Sequence, residues 1–188
     1  MDFKDFTKSY IKDLTSLLEN LDLDEFDKFR TLITNCKSNI YIIGNGGSAA
    51  TASHMANDLA IGLKRRDNLV LNAISLADNI AITSAIANDI GYENIFYMQL
   101  KDILKADDIV IAISCSGNSA NIIKAVEYAN KINSTVVGLS GFDGGLLKKL
   151  SNIKLHINSK KNEYGLVEDA HLILNHILFS YLLKENNG

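Results

Sequence analysis

The chain has 188 residues, 47% apolar and 22% charged, with a formal charge of −3, enough for one domain with a full core and ordinary for a globular protein. It carries no basic footprint for nucleic acid. Its two cysteines, Cys36 and Cys115, form no disulfide framework and point to a reduced, cytoplasmic setting, and the sequence leads us to expect neither a secretory leader nor a membrane-spanning run.

Residues 3–21 and 24–37 read as two amphipathic helices, with Tyr10, Ile11, Leu14, Leu17 and Leu18 at helical spacing and Asp22 or Asp24 available to cap the second. Their apolar stripes need burial, either on the chain's own sheet or against a second copy in a homo-oligomer. Strands and helices then alternate. The expected strands are 39–43, 69–74, 108–113, 134–139 and 152–157. The expected helices are 47–62, 78–88, 94–104, 119–132, 143–150 and 164–184, and the tail from Glu185 to Gly188 reads as frayed. The strands near 40, 110 and 136 are apolar on both faces, as buried parallel strands must be. Alternation of this kind predicts an α/β fold, a parallel sheet with helices on both faces. No repeat or linker interrupts it, so 1–188 reads as one domain, a helical pair (1–37) on an α/β core (38–188).

Two turns stand out. The apolar run Ile40–Ile43 breaks into Gly44-Asn45-Gly46-Gly47-Ser48, and Ile109–Ile113 into Ser114-Cys115-Ser116-Gly117-Asn118-Ser119; a helical pattern follows each. A strand turning sharply into a helix aims several N–H groups and the positive end of the helix dipole at one spot, which suits an anion such as phosphate. The first turn has neither dinucleotide-fingerprint spacing nor the Gly-Lys-Ser/Thr of a Walker loop. Many α/β proteins carry such a turn with no ligand. Two hydroxyl-rich turns in one parallel sheet, however, share the carboxyl edge where ligands bind.

His54 and Asp58, four apart, share a helix face; Glu168 and His176 lie on roughly one side of the last helix, and His171 is turned about 140° from His176. Two imidazoles and two carboxylates suit a divalent metal or an acid–base pair, and equally suit helix-surface residues with local partners. Cys115 at a helix N-terminus is either a thiol of lowered pKa or a small structural residue. His156 reads as structural, and Lys64-Arg65-Arg66 as a solvated helix end.

Taken in order, the motifs Gly44–Ala50, His54-Met55-Ala56-Asn57-Asp58-Leu59, Ala87-Asn88-Asp89 with Gly91-Tyr92, Ile113–Asn121, Leu139-Ser140-Gly141 with Asp143-Gly144-Gly145, and the last helix with Glu168, His171 and His176 resemble the sugar isomerase (SIS) family, in particular its phosphoheptose isomerase branch. The match runs along nearly the whole chain. It implies a three-layer α/β/α sandwich with a five-stranded parallel sheet behind two N-terminal helices, and a cytoplasmic homotetramer with active sites at subunit contacts. It also implies an aldose–ketose shift of sedoheptulose 7-phosphate to D-glycero-D-manno-heptose 7-phosphate through an enediol, serving lipopolysaccharide or capsule heptose. Carried over by motif, Asp58 and His176 are the acid–base pair, and His54, Asp58, Glu168 and His176 hold one zinc ion per subunit. Ser114, Cys115, Ser116 and Ser119 take the phosphate, while Asn45, Gly46, Gly47, Ser48, Asn88, Asp89 and Glu168 bind the rest of the substrate. The chain departs from the family pattern at four places. Asp58 replaces the usual Glu, about 1.5 Å shorter; Glu168 replaces Gln; Cys115 replaces Thr; and Gly62-Leu63-Lys64 stands where a Gly-Arg is usual. The competing reading is a non-enzymatic SIS protein that binds the replication initiator or senses sugar phosphates. Retention of His54, an acid at 58 and His176 favours the enzyme.

Overall fold

The computed structural model describes residues 2–185, so the tail beyond Glu185 lies outside the described residues. Two helices lead, α1 (Phe3–Glu19) and α2 (Leu23–Thr34), started by the carboxylates of Asp2 and Asp22, which accept from the amides of Asp5 and Glu25. The sheet follows: β1 (Asn39–Gly44), β2 (Asn72–Ser75), β3 (Ile109–Ser114), β4 (Thr135–Ser140) and β5 (Ile153–His156), ordered β2-β1-β3-β4-β5 and parallel throughout. The crossovers carry α3 (Gly47–Asn57), α4 (Ile80–Ile90), α5 (Tyr97–Leu100), α6 (Ala120–Ile132) and α7 (Gly145–Leu150), and α8 (Tyr164–Glu185) closes the fold.

The two-residue period of the strands sorts the core into two layers. Ile40, Ile42, Ile111 and Ile113 face one side, where Phe29 and Ile33 of α2, Met55 of α3, and Leu174 and Leu178 of α8 complete a cluster. Tyr41, Ile43, Val110 and Ala112 face the other, against Phe96, Leu100, Val126 and Leu147. The three-layer sandwich expected from sequence is therefore present, and the layering puts α3 and α8 side by side. The chain reverses strand order at β1, leaving a crevice at the carboxyl ends of β1 and β3, where an open α/β sheet takes its ligand.

Three expectations need correction. The expected helix 94–104 is only a 3-10 turn at Tyr92–Asn94 and the single turn of α5, because Lys101 turns extended and Asp102 takes a positive φ of 64°. The second strand begins at Asn72, three residues later than expected. Against the expectation of no membrane-length run, α8 is long and apolar enough to cross a membrane by length and composition. In the fold it is a core helix, with Leu166, Val167, Ala170, Leu174, Leu178 and Leu182 buried against its neighbours.

The helical pair splits its apolar residues. Leu14, Leu17, Leu18 and Phe26 pack on the core, while Phe3, Phe6, Ile11 and Leu23 remain exposed. The Tyr10 hydroxyl donates to an Asp169 carboxylate oxygen at 2.7 Å, pinning α1 to α8. That bond, with burial second, pushes the phenol up to about 12.

Candidate active site

Register joins the two turns. Gly44 pairs with Ile113, so Asn45 and Ser114, far apart in sequence, leave the sheet side by side. Gly44 must be glycine because a Cβ there would run into the Ser48 carbonyl. The Asn45 and Asn121 amides bind each other reciprocally at 2.9 and 2.8 Å, and the Tyr92 hydroxyl donates to the same Asn45 oxygen at 2.9 Å. Asn45 thus has little capacity left for a sugar. Its partners, Asn121 and Tyr92, are site residues to which the motif reading assigned no role.

The second turn is held open from behind. Its carbonyls accept from the segment that follows β4: Gly141 N–H donates to Cys115 C=O and Leu147 N–H to Gly117 C=O, both at 2.9 Å. Gly117 has φ 63°, and a Cβ on it would strike the Gly144 carbonyl. Ser119 stands at the N-cap of α6 yet makes no side-chain cap bond, and its hydroxyl lies 3.3 Å from that of Ser114. Those hydroxyls, with Ser116, Ser48 and Asn45, line a pocket of about 140 Å³ closed by Tyr164 and Glu168. Larger grooves lie elsewhere, among them one between α2 and α8, one at the amino edge of the sheet near Cys36 and Lys64, and one along α8 lined by His176 and Lys184. None of these three gathers hydroxyls at a helix N-terminus.

Glu168 explains the first turn. A Cβ on Gly47 would meet the Glu168 carboxylate, so that side chain lies at the N-terminus of α3, the place the sequence suggested for a bound anion. The protein fills that spot with its own carboxylate, which also borders the serine-turn pocket.

Farther along the two helices that border this pocket, α3 and α8 bring together three of the four expected metal ligands. His54 Nε2 is 3.2 Å from Asp58 Oδ2 and 3.0 Å from His176 Nε2, and one donor atom from each residue lies within 4.8 Å of the others. The expected fourth ligand, Glu168, is not in this group. Asp58 opens a π-turn (Asp58–Gly62), a wider coil common at functional sites, and is only 7% exposed; both imidazoles are exposed. A neutral His54 has one Nε2 position, which either donates to Asp58 or accepts from His176, so one proton cannot satisfy both contacts. A cation shared by the three donors can, and the set fits a divalent metal.

Asn175 was missed at sequence level. It is fully buried, and its Nδ2 donates to Asp58 Oδ2 at 2.8 Å across 117 residues of sequence. The available signal was its place on the buried stripe of α8, between Leu174 and Leu178, where an apolar residue is expected.

The other candidates fall elsewhere. Asn88 and Asp89 sit on the exposed last turn of α4, hydrogen-bonded to each other at 2.8 Å and outside the pocket lining. Cys115 is buried with its sulfur 3.9 Å from the Ser48 hydroxyl, and burial pushes its thiol up to about 11, which excludes the lowered-pKa alternative. His171 faces away from His176, as expected, into the core, with Nε2 3.3 Å from the Ser140 carbonyl. His156, at the end of β5, meets the Ser140 hydroxyl at 3.1 Å.

The SIS-domain family model matches residues 9–141. A phosphoheptose isomerase of Leptospira biflexa is 41% identical over 150 residues, 79% of this chain and 76% of that protein. One from Helicobacter pylori (strain P12) is 38% identical over 167 residues, 89% and 84% of the two chains. The solved structure of a phosphoheptose isomerase from Francisella tularensis superposes with a TM-score of 0.86 at 26% identity, covering 96% of both chains.

Proposed function

The chain belongs to the SIS-domain family, on its phosphoheptose isomerase branch, and we propose that it is the aldose–ketose isomerase converting sedoheptulose 7-phosphate to D-glycero-D-manno-heptose 7-phosphate through an enediol. The observation that carries this reading is that the same two helices, α3 and α8, border the serine-turn pocket through Ser48 and Glu168 and, farther along, hold an imidazole–carboxylate–imidazole cluster. The first suits the phosphate; the second suits proton transfer at the far end of the sugar. The alternative of a non-enzymatic SIS protein is not favoured, since the relatives matched carry an isomerase name.

In this reading Ser114, Ser116 and Ser119 hold the phosphate with the α6 N-terminus, Cys115 shapes the turn, and Gly46, Gly47 and Ser48 border the sugar. Asp58 takes the proton from the carbon beside the carbonyl, and His176 gives one to the carbonyl oxygen. The enediol collapses to the aldose when a proton is delivered to the former carbonyl carbon and another leaves the hydroxyl on the carbon first deprotonated. His54, Asp58 and His176 are also the residues that would hold a divalent ion, which we assign as zinc, one per subunit. Zinc bonds of about 2.0–2.2 Å at a tetrahedral angle separate donor atoms by about 3.3 Å, and the two closest separations here are 3.0 and 3.2 Å. When bound, the metal supplies Lewis-acid polarisation of a sugar oxygen. Because ligation engages the lone pairs that accept protons, occupancy and proton transfer compete for Asp58 and His176. Glu168 completes the ligand set only if its side chain leaves Gly47.

We further assign a homotetramer, supported by the exposed apolar residues of α1, α2 and α4, among them Phe3, Leu23 and Ile80, with Asn88 and Asp89 serving a site completed at a subunit contact. We assign a cytoplasmic setting, supported by two free cysteines, and a place in heptose supply for surface polysaccharide. In this assignment residues 1–188 act as one SIS unit. The test is a product assay on purified protein with a panel of five- to seven-carbon ketose phosphates. Turnover of sedoheptulose 7-phosphate above the shorter sugars supports the reading; turnover of none of them removes it.

A further inference from the structure

We infer that Asn175 is a positioning residue for Asp58, an inference that rests on the role just proposed for that carboxylate. Asn175 is fully buried on the core face of α8 among Leu174, Leu178 and Leu182, a stripe where an apolar side chain would pack without cost. Its amide is only half used. Nδ2 donates to Asp58 Oδ2 at 2.8 Å, while Oδ1 is buried with no hydrogen-bond partner. A buried polar group left half unsatisfied is a net burden on stability. The single contact it makes therefore carries the reason for its presence.

That contact reaches the oxygen that matters. Asp58 Oδ2 is also the atom 3.2 Å from His54 Nε2, so the carboxylate oxygen turned toward the imidazoles is the one the amide grips. The other oxygen has only a 3.4 Å contact with the neighbouring Asn57 amide. A carboxylate on one methylene, at the start of a π-turn, has few directions available, and Asn175 selects one from across the helix–helix contact. It sits one residue before His176 on the same rigid helix, so any movement of the imidazole carries the anchor of the carboxylate with it. Groups held this way lose function when the outer partner goes, because the inner ligand or base samples unproductive rotamers.

The test compares Asn175→Leu, similar in size and apolar, with the parent chain. Turnover and KM on sedoheptulose 7-phosphate, the zinc dissociation constant from chelator competition, and Tm are measured for each. The expected result is a drop in kcat and a weakening of zinc of about 10–100-fold each, the usual cost of an outer-shell partner, with KM moved far less and Tm unchanged or raised. A purely structural Asn175 gives the reverse, a lowered Tm with kcat and zinc affinity intact, and that overturns the inference. Asn175→Ser, which keeps a polar atom but cannot reach Asp58, is read the same way if the leucine chain fails to fold. Asp58→Asn separates the two levels. If it leaves turnover and zinc binding unchanged, the reading of Asp58 itself fails. If it abolishes both while Asn175→Leu and Asn175→Ser change neither, only the positioning role fails. In the double variant Asp58→Asn/Asn175→Leu the second change should add nothing, since residues acting as one unit are not additive.

Discussion

His54 Nε2 and His176 Nε2 face each other at 3.0 Å, edge to face, from two helices whose residues are 122 apart in sequence. Two ring nitrogens at that distance share either a proton or a metal, and the Asp58 carboxylate beside them favours a cation.

Protein purified without chelator should therefore carry one zinc per chain by elemental analysis. Added zinc should raise Tm, by mass action worth about 2.7 kcal/mol at a hundred times Kd. His54→Ala should abolish both effects. A chain that is metal-free and unmoved by zinc would leave a plain acid–base site.

The serine turn predicts a separable binding defect. Ser116→Ala and Ser119→Ala should each weaken sugar-phosphate binding by about 1–3 kcal/mol, the cost of losing a hydrogen bond to a charged group. Calorimetric titration with sedoheptulose 7-phosphate reads this directly, and unchanged affinity in both variants assigns the phosphate elsewhere.

The proton-transfer roles predict that His176→Gln lowers turnover about 100-fold or more with the melting curve intact. Asp58→Glu should also lose activity, because a longer side chain moves the carboxylate off the oxygen position that Asn175 holds at 2.8 Å. Full activity in Asp58→Glu means the site has slack that the buried amide does not suggest.

His171 gives a pH prediction. Full burial holds its folded pKa at about 4, below the 6.5 of a free histidine. Between these values the unfolded chain binds the extra proton, so stability is complete above about pH 6.5 and falls as pH drops toward 4. At about 1.4 kcal/mol per pH unit the loss approaches 3 kcal/mol, and His156, also lowered by burial, adds in the same sense. Denaturant titrations at pH 7.5 and 5 should show the loss in the parent chain and a smaller one in His171→Leu. At neutral pH His171→Leu should keep its turnover.

The sheet and most helices were readable because burial of a parallel strand on both faces demands unbroken apolar runs, as at Ile40–Ile43 and Ile109–Ile113. The helix expected over 94–104 failed because Ile95, Phe96, Leu100 and Leu104 all reach one core cluster although α5 ends at Leu100 and the backbone turns left-handed at Asp102, an outcome a pattern cannot distinguish from a helix face. His54 and Asp58 were readable as a pair, being one helical turn apart. Their meeting with His176 follows from α3 and α8 sharing a layer, and the motifs supplied that only through resemblance. Asn175 and Asn121 were invisible because a polar residue announces no partner 117 or 76 residues away. Glu168 was read as a ligand; its position against Gly47 depends on how closely two helices approach, which no local spacing encodes.

Docking of α8 has a consequence for how the parts of the site are divided along the chain. The serine turn is complete once β3, α6 and the β4–α7 loop are in place, whereas His176, Asn175 and Glu168 arrive together on the last helix. A chain cut before α8 would thus keep the residues of the serine turn and lose His176, Asn175 and Glu168 together, so a single helix decides whether the His54–Asp58–His176 cluster exists at all.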